Sequence, residues 1–438
     1  MKHTRILALL LALVLCLTAC GSGTSSTPGS SSEEPSAEPN SAALPQEAVD
    51  DVVSYLTGGA YNKDSVVATV GDIPITAAQV LYWTAYQQYN MTYYYYNYYG
   101  YAINMSDDMG DGTTVGESLL QFGLDTAVVY AVGSQKAQEM GISLSEENSA
   151  ALASLYEENV ASYGQDRWQT YLDAGLISEA DFDEEQKAEW IRTHGEEFYQ
   201  HSLMYYACTP ADYLSLITNY YYFSTLQDTL FGEGGEYAPT EDTMNDYLQS
   251  YITDNGYCWA RCILFSTKDC ADDAAVAEVQ AQAQAVYDQL SALPADQLSA
   301  SFTDMQSQYD KSGYTAGEIQ HYSNTDSLVD GYYSGIQALE PGQLGMTDKT
   351  DYGYFILLRE ADQPDELHDE AQSDYITSTY TSLIEQWKGD YNANLTSDVL
   401  GDLDLDAFYT NLAQLQLTLA SVDTISTDDS AGNDTTAE

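Results

Sequence analysis

The sequence predicts an α+β fold, in which a mainly helical domain built from N-terminal and C-terminal segments carries a smaller inserted α+β domain. Two observations support this prediction. Helical apolar spacing dominates residues 117–230 and returns after Pro364. Between these parts, strand-like runs at 257–266 and 352–359 enclose several helical patterns, an order typical of a small sheet covered by helices.

Changes in composition divide the 438 residues into segments, and this length suits two or three domains. The predicted segments are a signal peptide at 1–19, a flexible Gly/Ser/Pro/Glu-rich tether at 20–48, a helical domain at 49–237, the inserted α+β domain at 238–361, C-terminal helices that pack on the helical domain at 362–420, and a disordered acidic tail at 421–438.

The first 20 residues have the pattern of an export signal. Lys2 and Arg5 precede an apolar run at 6–16 that is too short to span a bilayer and is typical of a secretory signal peptide. The motif LTAC at 17–20 resembles the lipobox of bacterial lipoproteins. This resemblance implies cleavage before Cys20, a lipid on its thiol, and a location on the outer face of the bacterial cell membrane. An ordinary signal peptide with a chance cysteine is the alternative.

The chain is strongly acidic, with 68 Asp and Glu residues against 13 Lys and Arg residues and a formal net charge of −55. Such a surface repels nucleic acid and anionic lipid, so we expect no nucleic-acid partner. It favours basic or unfolded cationic polypeptides as partners. An adaptation for solubility would explain the same charge.

Four cysteines follow the signal: Cys208, Cys258, Cys262 and Cys270. Cys258 and Cys262 stand four residues apart in a predicted strand, roughly 13 Å at ~3.3 Å per residue, which is too far for a disulfide between them. The pairing of the four is otherwise left open. No Cys/His spacing typical of a metal site occurs, and we expect neither a metal nor a cofactor.

The helical domain opens with a hairpin and a tyrosine-rich helix. Residues 65–75 alternate around Gly71-Asp72, which predicts the hairpin, and Thr76 with Gln79 forms a capping-box pattern. Tyrosines then recur at spacings of three and four along one helical stripe: Tyr82, Tyr86, Tyr89, Tyr93 and Tyr96. This stripe either packs the helix against its neighbours or lines a cradle for unfolded peptide.

Further helices follow from the apolar spacing, after a Gly/Asp-rich loop at 104–116. In the helical domain they are predicted at 117–140, 145–163, 166–174 and 179 to about 230, with a break at 232–235. In the inserted domain they are predicted at 240–251, 273–290, 297–308 and 327–338.

Two stretches carry a resemblance to exported foldases of the PrsA and SurA type. Residues 66–86 (VVATVGDIPITAAQVLYWTAY) are similar to the opening of their chaperone domain. Residues 239–360 resemble a parvulin peptidyl-prolyl isomerase domain, with ARCILF at 260–265, ALEPG at 338–342 and DYGYFILLR at 351–359. The resemblance implies that the helical domain binds unfolded exported polypeptides and that the inserted domain has a prolyl-isomerase fold.

The chain departs from the parvulin pattern at both histidines of that family's active site. Cys262 stands at the first of these positions and Phe355 at the second. The resemblance places the family's acidic or thiol residue at Asp310. Its proline-pocket positions fall on Ile319, Leu328 and Tyr332.

These replacements should weaken the reaction, because a thiol is a weak hydrogen-bond donor and a phenyl ring donates none. We therefore expect weak peptidyl-prolyl isomerase activity or none, with Asp310 and Cys262 at the catalytic positions and Phe355 beside the binding residues. His321 follows the family's glycine motif and is either a substitute imidazole or an exposed loop histidine.

The predicted function is thus a membrane-anchored extracytoplasmic foldase. Its partners would be unfolded or proline-containing exported polypeptides and the membrane, through the lipid on Cys20, and a homodimer is left open. A solute-binding lipoprotein of a transporter is the alternative; its tyrosines would stack on sugars and its body would repeat strand–helix units. A third class, an envelope adhesion or assembly protein, is supported by charge alone.

Overall fold

The computed structural model describes residues 44–309, 318–391 and 397–424, and the chain divides into two compact units. One unit combines the chain up to Ala238 with the chain from Ser378 onward, and the other is Pro239–Thr377. The predicted fold class, mainly helical α+β, is confirmed. The predicted lipidation site Cys20 lies outside the described residues, as do the signal peptide, most of the tether and the end of the tail.

The N-terminal part of the first unit is a hairpin among helices. Its elements are α1 (Gln46–Asp50), α2 (Val52–Leu56), β1 (Val66–Val70), β2 (Ile73–Thr76), α3 (Ala77–Tyr99), α4 (Val115–Glu139), α5 (Glu146–Asp173), α6 (Glu184–Met204) and α7 (Pro210–Phe231). Strands β1 and β2 pair in antiparallel fashion, as the hairpin pattern predicts. None of the helices in the described ranges is both long enough and apolar enough to cross a bilayer.

The start of α3 follows the capping box that the sequence predicts. The Thr76 hydroxyl accepts a hydrogen bond from the Gln79 backbone N–H, and the Gln79 side chain accepts one from the Thr76 backbone N–H. These two bonds satisfy backbone donors that the first turn of a helix leaves without an intrahelical partner. The N-terminal half of α3 is therefore fixed at the hairpin.

Two predicted helix boundaries in this unit are wrong. The predicted break between 163 and 166 is absent, because Gly164 lies inside the continuous helix α5 where the backbone of Ile191 on α6 approaches too closely for any Cβ. The predicted single helix from 179 to 230 is interrupted between α6 and α7. There Ala207 adopts a positive φ of 57°, and Thr209 caps a new helix with Pro210 in its first turn.

The second unit contains a four-stranded sheet with helices on both faces. Its elements are α8 (Glu241–Asp254), β3 (Cys258–Ser266), α9 (Asp273–Ser291), α10 (Ala295–Tyr309), β4 (Gln320–Tyr322), α11 (Tyr332–Gln337), β5 (Leu344–Met346) and β6 (Gly353–Arg359). The strand order is β4-β3-β6-β5, and every neighbouring pair is antiparallel. The two central strands are the ones that the sequence predicts.

The central strands present different side chains to the two sides of the sheet, as period-two alternation requires. Ile263 and Phe265 of β3 and Ile356 of β6 face helices α9 and α10, where they form a core with Phe302. The intervening residues of both strands face α11. We call the first side the sealed face and the second the pocket face.

The helix predicted at 327–338 is shorter in the structure. Only Tyr332–Gln337 is helical, and Gly331 precedes it in the left-handed conformation at a φ of 83°, which only glycine adopts without strain. Leu328 and Val329 therefore lie in a loop. This loop, rather than a helical face, brings them to the pocket face.

The chain ends with α12 (His368–Asp390) and α13 (Leu405–Asp423). The second unit extends beyond the predicted boundary at 361, because Leu367 and Ala371 pack with Trp259 in a buried cluster on α8. Helix α13 continues to Asp423, past the predicted start of the tail at 421. In the first unit, its Tyr409 hydroxyl donates to the Gly116 carbonyl at 2.8 Å.

Candidate functional site

The pocket face of the second unit encloses a cavity of about 360 Å³. This volume lies within the ~300–1,000 Å³ typical of sites for small ligands. The lining side chains come from β3, β4, β6, the loop before α11 and α11 itself: Cys262, Leu264, Gln320, Tyr322, Ser327, Leu328, Val329, Tyr332, Tyr352 and Phe355.

Strand β3 forms the floor of the pocket. Cys258 and Cys262 stand four residues apart, so both point to the pocket face, and both side chains are buried. The Gln306 side chain on α10 donates to the Cys262 carbonyl at 2.8 Å, which ties this part of β3 to the helix on the sealed face. Burial raises the pKa of the Cys258 thiol to about 11.

Strand β6 supplies the aromatic wall. Phe355 lies opposite Leu264 in the register between β3 and β6, and its backbone N–H donates to the Thr347 hydroxyl at 3.1 Å. The Phe355 ring meets the Tyr332 ring edge-on, with centroids 4.8 Å apart. This edge-to-face geometry is one that aromatic pairs prefer, and both residues also line the cavity.

Two tyrosines add hydroxyl groups to this apolar site. The Tyr332 hydroxyl donates to the Tyr322 hydroxyl at 3.0 Å, and their rings meet edge-on at 5.3 Å. Burial, followed by the nearby Cys262 thiol, raises the pKa of Tyr332 far above its ordinary value. Burial likewise raises the pKa of Tyr322 to about 12, although the bond from Tyr332 acts in the opposite direction. Both phenols are therefore neutral donors at physiological pH.

The rim of the pocket carries a cation. Tyr352 lines the opening, and the Lys268 ammonium lies over its ring, 4.1 Å from the centroid. Among the described residues that line the cavity, no side chain is charged. The site thus suits an uncharged apolar group flanked by peptide-like polar atoms rather than an ion.

The structure brings four of the predicted site residues together: Cys262, Leu328, Tyr332 and Phe355. Ile319 is 36 % exposed and is not among the residues lining the cavity, so its predicted contribution to the pocket is not observed. Asp310 lies outside the described residues, and its predicted catalytic position stays a prediction.

His321 does not reach the pocket. On β4 it pairs with Trp259, and its ring contacts Tyr257 and Trp259 with its Nδ1 atom 3.8 Å from the Glu366 carboxylate. Its neighbours Gln320 and Tyr322 on the same strand line the cavity instead. The idea that His321 substitutes for a lost imidazole is therefore wrong, because alternation along β4 turns it to the other face.

The sequence prediction missed several lining residues, above all Tyr322, Leu264 and Val329. The alternation of β3 predicts that Leu264 faces the pocket, because it stands two residues after Cys262. Tyr322 belongs to a three-residue strand, which is too short to show a period. Among the described residues, no group of three or more His, Cys, Asp and Glu side chains is arranged to hold a metal ion.

No protein-family model matches this chain, and a search of curated proteins finds no match. It is similar to several solved structures. PrsA from Bacillus subtilis is 12 % identical over 68 % of this chain and 97 % of that one, with a TM-score of 0.19. The peptidylprolyl isomerase PrsA from Bacillus cereus is 13 % identical over 69 % and 100 %, with a TM-score of 0.23. The foldase protein PrsA from Streptococcus pneumoniae is 15 % identical over 58 % and 89 %, with a TM-score of 0.18. Scores this low carry no weight for function, which rests on the chain's own residues.

Proposed function

We propose that the protein is an extracytoplasmic, membrane-anchored foldase that binds proline-containing segments of unfolded exported polypeptides in the pocket of its second unit. The observation that carries this proposal is the pocket itself, where Leu328, Tyr332 and Phe355 surround a cavity floored by Cys262. A proline ring is an uncharged apolar group next to two peptide carbonyls. This chemistry fits a pocket with apolar walls and neutral hydroxyl donors.

The same pocket suits a weak peptidyl-prolyl isomerase. The barrier to rotation about a peptide bond is ~18–20 kcal/mol, because the twisted state loses amide resonance. No bond is broken, so the site needs no strong acid or nucleophile. It needs to hold the ring, exclude water and favour the twisted amide over both planar forms. The walls formed by Leu328 and Phe355 meet the first two needs.

The Tyr322 hydroxyl is the group that we assign to the amide carbonyl. Its oxygen accepts a hydrogen bond from the Tyr332 hydroxyl, so its own O–H group is available to donate to the peptide. Because the described lining residues offer neutral donors and no imidazole, the stabilisation of the twisted amide should be small. We therefore expect a holding function with slow isomerisation rather than an efficient enzyme.

The solute-binding alternative has less support. Such a fold would repeat strand–helix units around a parallel sheet. Both sheets in the described parts of the chain are antiparallel.

A binding experiment tests the proposed site. A short proline peptide should bind measurably more tightly than the same peptide with alanine in place of proline. Leu328→Glu should abolish this difference, because it puts a charge in the apolar wall at a half-buried position. The matched control is Leu417→Glu on α13, where the side chain is 67 % exposed. Equal affinity for both peptides, or full binding by the Leu328 variant, would refute the site.

An activity experiment separates the two versions of the function. The protein should accelerate cis–trans exchange of a proline peptide slightly, and Tyr332→Ala and Asp310→Ala should each reduce that rate. If the intact protein accelerates nothing but still suppresses aggregation of a denatured client, then the holding function stands alone. If it does neither, the foldase proposal fails.

A further inference from the structure

The C-terminal half of α3 exposes an unusual concentration of tyrosine. These residues, which we call the tyrosine surface, are Tyr93, Tyr94, Tyr96, Tyr98, Tyr99 and the following Tyr101. Their exposed fractions range from 46 % at Tyr94 to 73 % at Tyr98. Contiguous exposed aromatic side chains on this scale are typical of interaction sites.

The rings of this region contact one another. Tyr94 and Tyr98 have centroids 4.8 Å apart at an interplanar angle of 35°, and Tyr95 contacts Tyr99 at 5.5 Å and Tyr101 at 5.6 Å. The rings are tilted rather than coplanar. They therefore form one continuous aromatic area that presents ring faces in several directions.

The tyrosine surface also lies in an acidic part of the chain. No Lys, Arg or His occurs between Lys63 and Lys136. The loop that returns from Tyr101 to α4 carries Asp107, Asp108 and Asp111. The electron-rich ring faces and these carboxylates favour the same kind of partner, because both attract positive charge.

We propose that the tyrosine surface binds extended, Arg/Lys-rich segments of polypeptide. Guanidinium and ammonium groups would lie over the tyrosine ring faces, with Arg preferred because its planar group stacks on aromatic rings. The loop carboxylates would add longer-range attraction. This inference rests on the proposed function only in taking an unfolded polypeptide as the ligand.

A proline-free peptide of about twelve alternating Arg and Ser residues tests the proposal by fluorescence anisotropy. It should bind the protein at low ionic strength, bind more weakly as salt is raised, and bind far better than the matching Glu/Ser peptide. The triple variant Tyr94→Ser, Tyr98→Ser, Tyr99→Ser should weaken binding at least about tenfold, since each exposed cation–π contact is worth a factor of about two to five. The corresponding Phe variant should bind like the wild type, because it keeps the ring faces.

The control variant is Tyr156→Ser with Tyr163→Ser on α5, where the two tyrosines are also exposed. This variant should bind the Arg/Ser peptide normally, and so should Leu328→Glu in the other unit. Equal binding of the Glu/Ser peptide, an unaffected Ser triple variant, or an equal loss in the α5 control would overturn the proposal. So would binding of a neutral oligosaccharide, in place of the peptide, at the same tyrosines. The Arg/Ser probe lacks proline, so the two sites are tested separately. If the protein fails to bind the proline peptide but still binds the Arg/Ser peptide, the proposed function is refuted and this inference stands.

Discussion

The two faces of the sheet in the second unit are built from the same strands but meet different neighbours. The sealed face lies under α9 and α10, and Phe302 at its centre is fully buried. In the described part of the chain, the pocket face is covered by the six-residue helix α11 and the loop before it, and the cavity lies beside them. The site therefore lies on the side of the sheet where helix α11 is too short to complete a second core.

The sealed face is also fixed by a buried cation. The Arg261 guanidinium pairs with the Glu360 carboxylate and donates to the hydroxyls of Ser299 and Thr303 on α10. A buried charge with its hydrogen bonds satisfied holds its partners in one arrangement. The pocket face has thiols and phenols instead. One face therefore supports the strands while the other remains available to a ligand.

The largest expected effect breaks the sealed face. Phe302→Ala should destabilise the second unit by about 3–5 kcal/mol, because it removes a fully buried ring from a packed core. The matched change on the pocket face, Phe355→Ala, should cost roughly half as much, since that ring already borders a cavity. Hydrogen exchange of β3 and β6, followed by mass spectrometry, measures both. Equal costs would show that the pocket face is packed as tightly as the sealed one.

A smaller expected effect is a pH dependence of stability that arises from two groups on the pocket face. Burial raises the pKa of Cys258 to about 11 and that of Tyr322 to about 12, above the ~8.5 and ~10 expected in an unfolded chain. Folding therefore favours the protonated forms. Their contribution to stability is complete below about pH 8.5 and is lost as the pH rises towards 11–12.

Urea unfolding at pH 8 and pH 10.5 checks this expectation. The urea concentration at the midpoint should be lower at pH 10.5 than at pH 8. For Cys258→Ala this decrease should be smaller, because one titrating group has been removed. A variant that loses stability as steeply as the wild type would show that the Cys258 thiol does not contribute.

The smallest expected effect concerns one hydroxyl. Tyr332→Phe removes the bond to Tyr322 but keeps the ring against Phe355, so the second unit should lose only about 1 kcal/mol. Because the lost bond holds the pKa of Tyr322 down, that pKa should rise further. Carbon NMR of labelled tyrosine follows the titration. An unchanged Tyr322 pKa would mean that the two hydroxyls are not coupled.

Much of the fold was predictable from local patterns. The hairpin, the capping box at Thr76, the two central strands and the helices α9 and α10 all follow from alternation, helical spacing and caps. The interruption before α7 carried a recognisable signal in Thr209 and Pro210, which the prediction overlooked. Gly164 lies in the predicted break between 163 and 166, which the structure does not contain. Glycine is needed at this position because the backbones of α5 and α6 approach closely there. Sequence periodicity does not report that contact.

The candidate site was predictable only where a known pattern supplied positions. The family resemblance predicts Cys262, Leu328, Tyr332 and Phe355 as site residues, and all four line the cavity. Their assignment came from a family resemblance, not from spacing. Tyr322 was missed and His321 was misplaced, because a three-residue strand does not reveal which of its side chains faces inward.

By itself the sequence determined which residues alternate along β3 and β6 and which ones share a stripe on α3. Only the tertiary structure decided which side of β3, β6 and α3 is covered by other parts of the chain. Tyr82 is buried near the start of α3, while Tyr93 and Tyr96 of the same stripe are exposed near its end. The physical reason is that periodicity is a local property of the chain, whereas burial depends on helices that arrive from distant parts of the sequence.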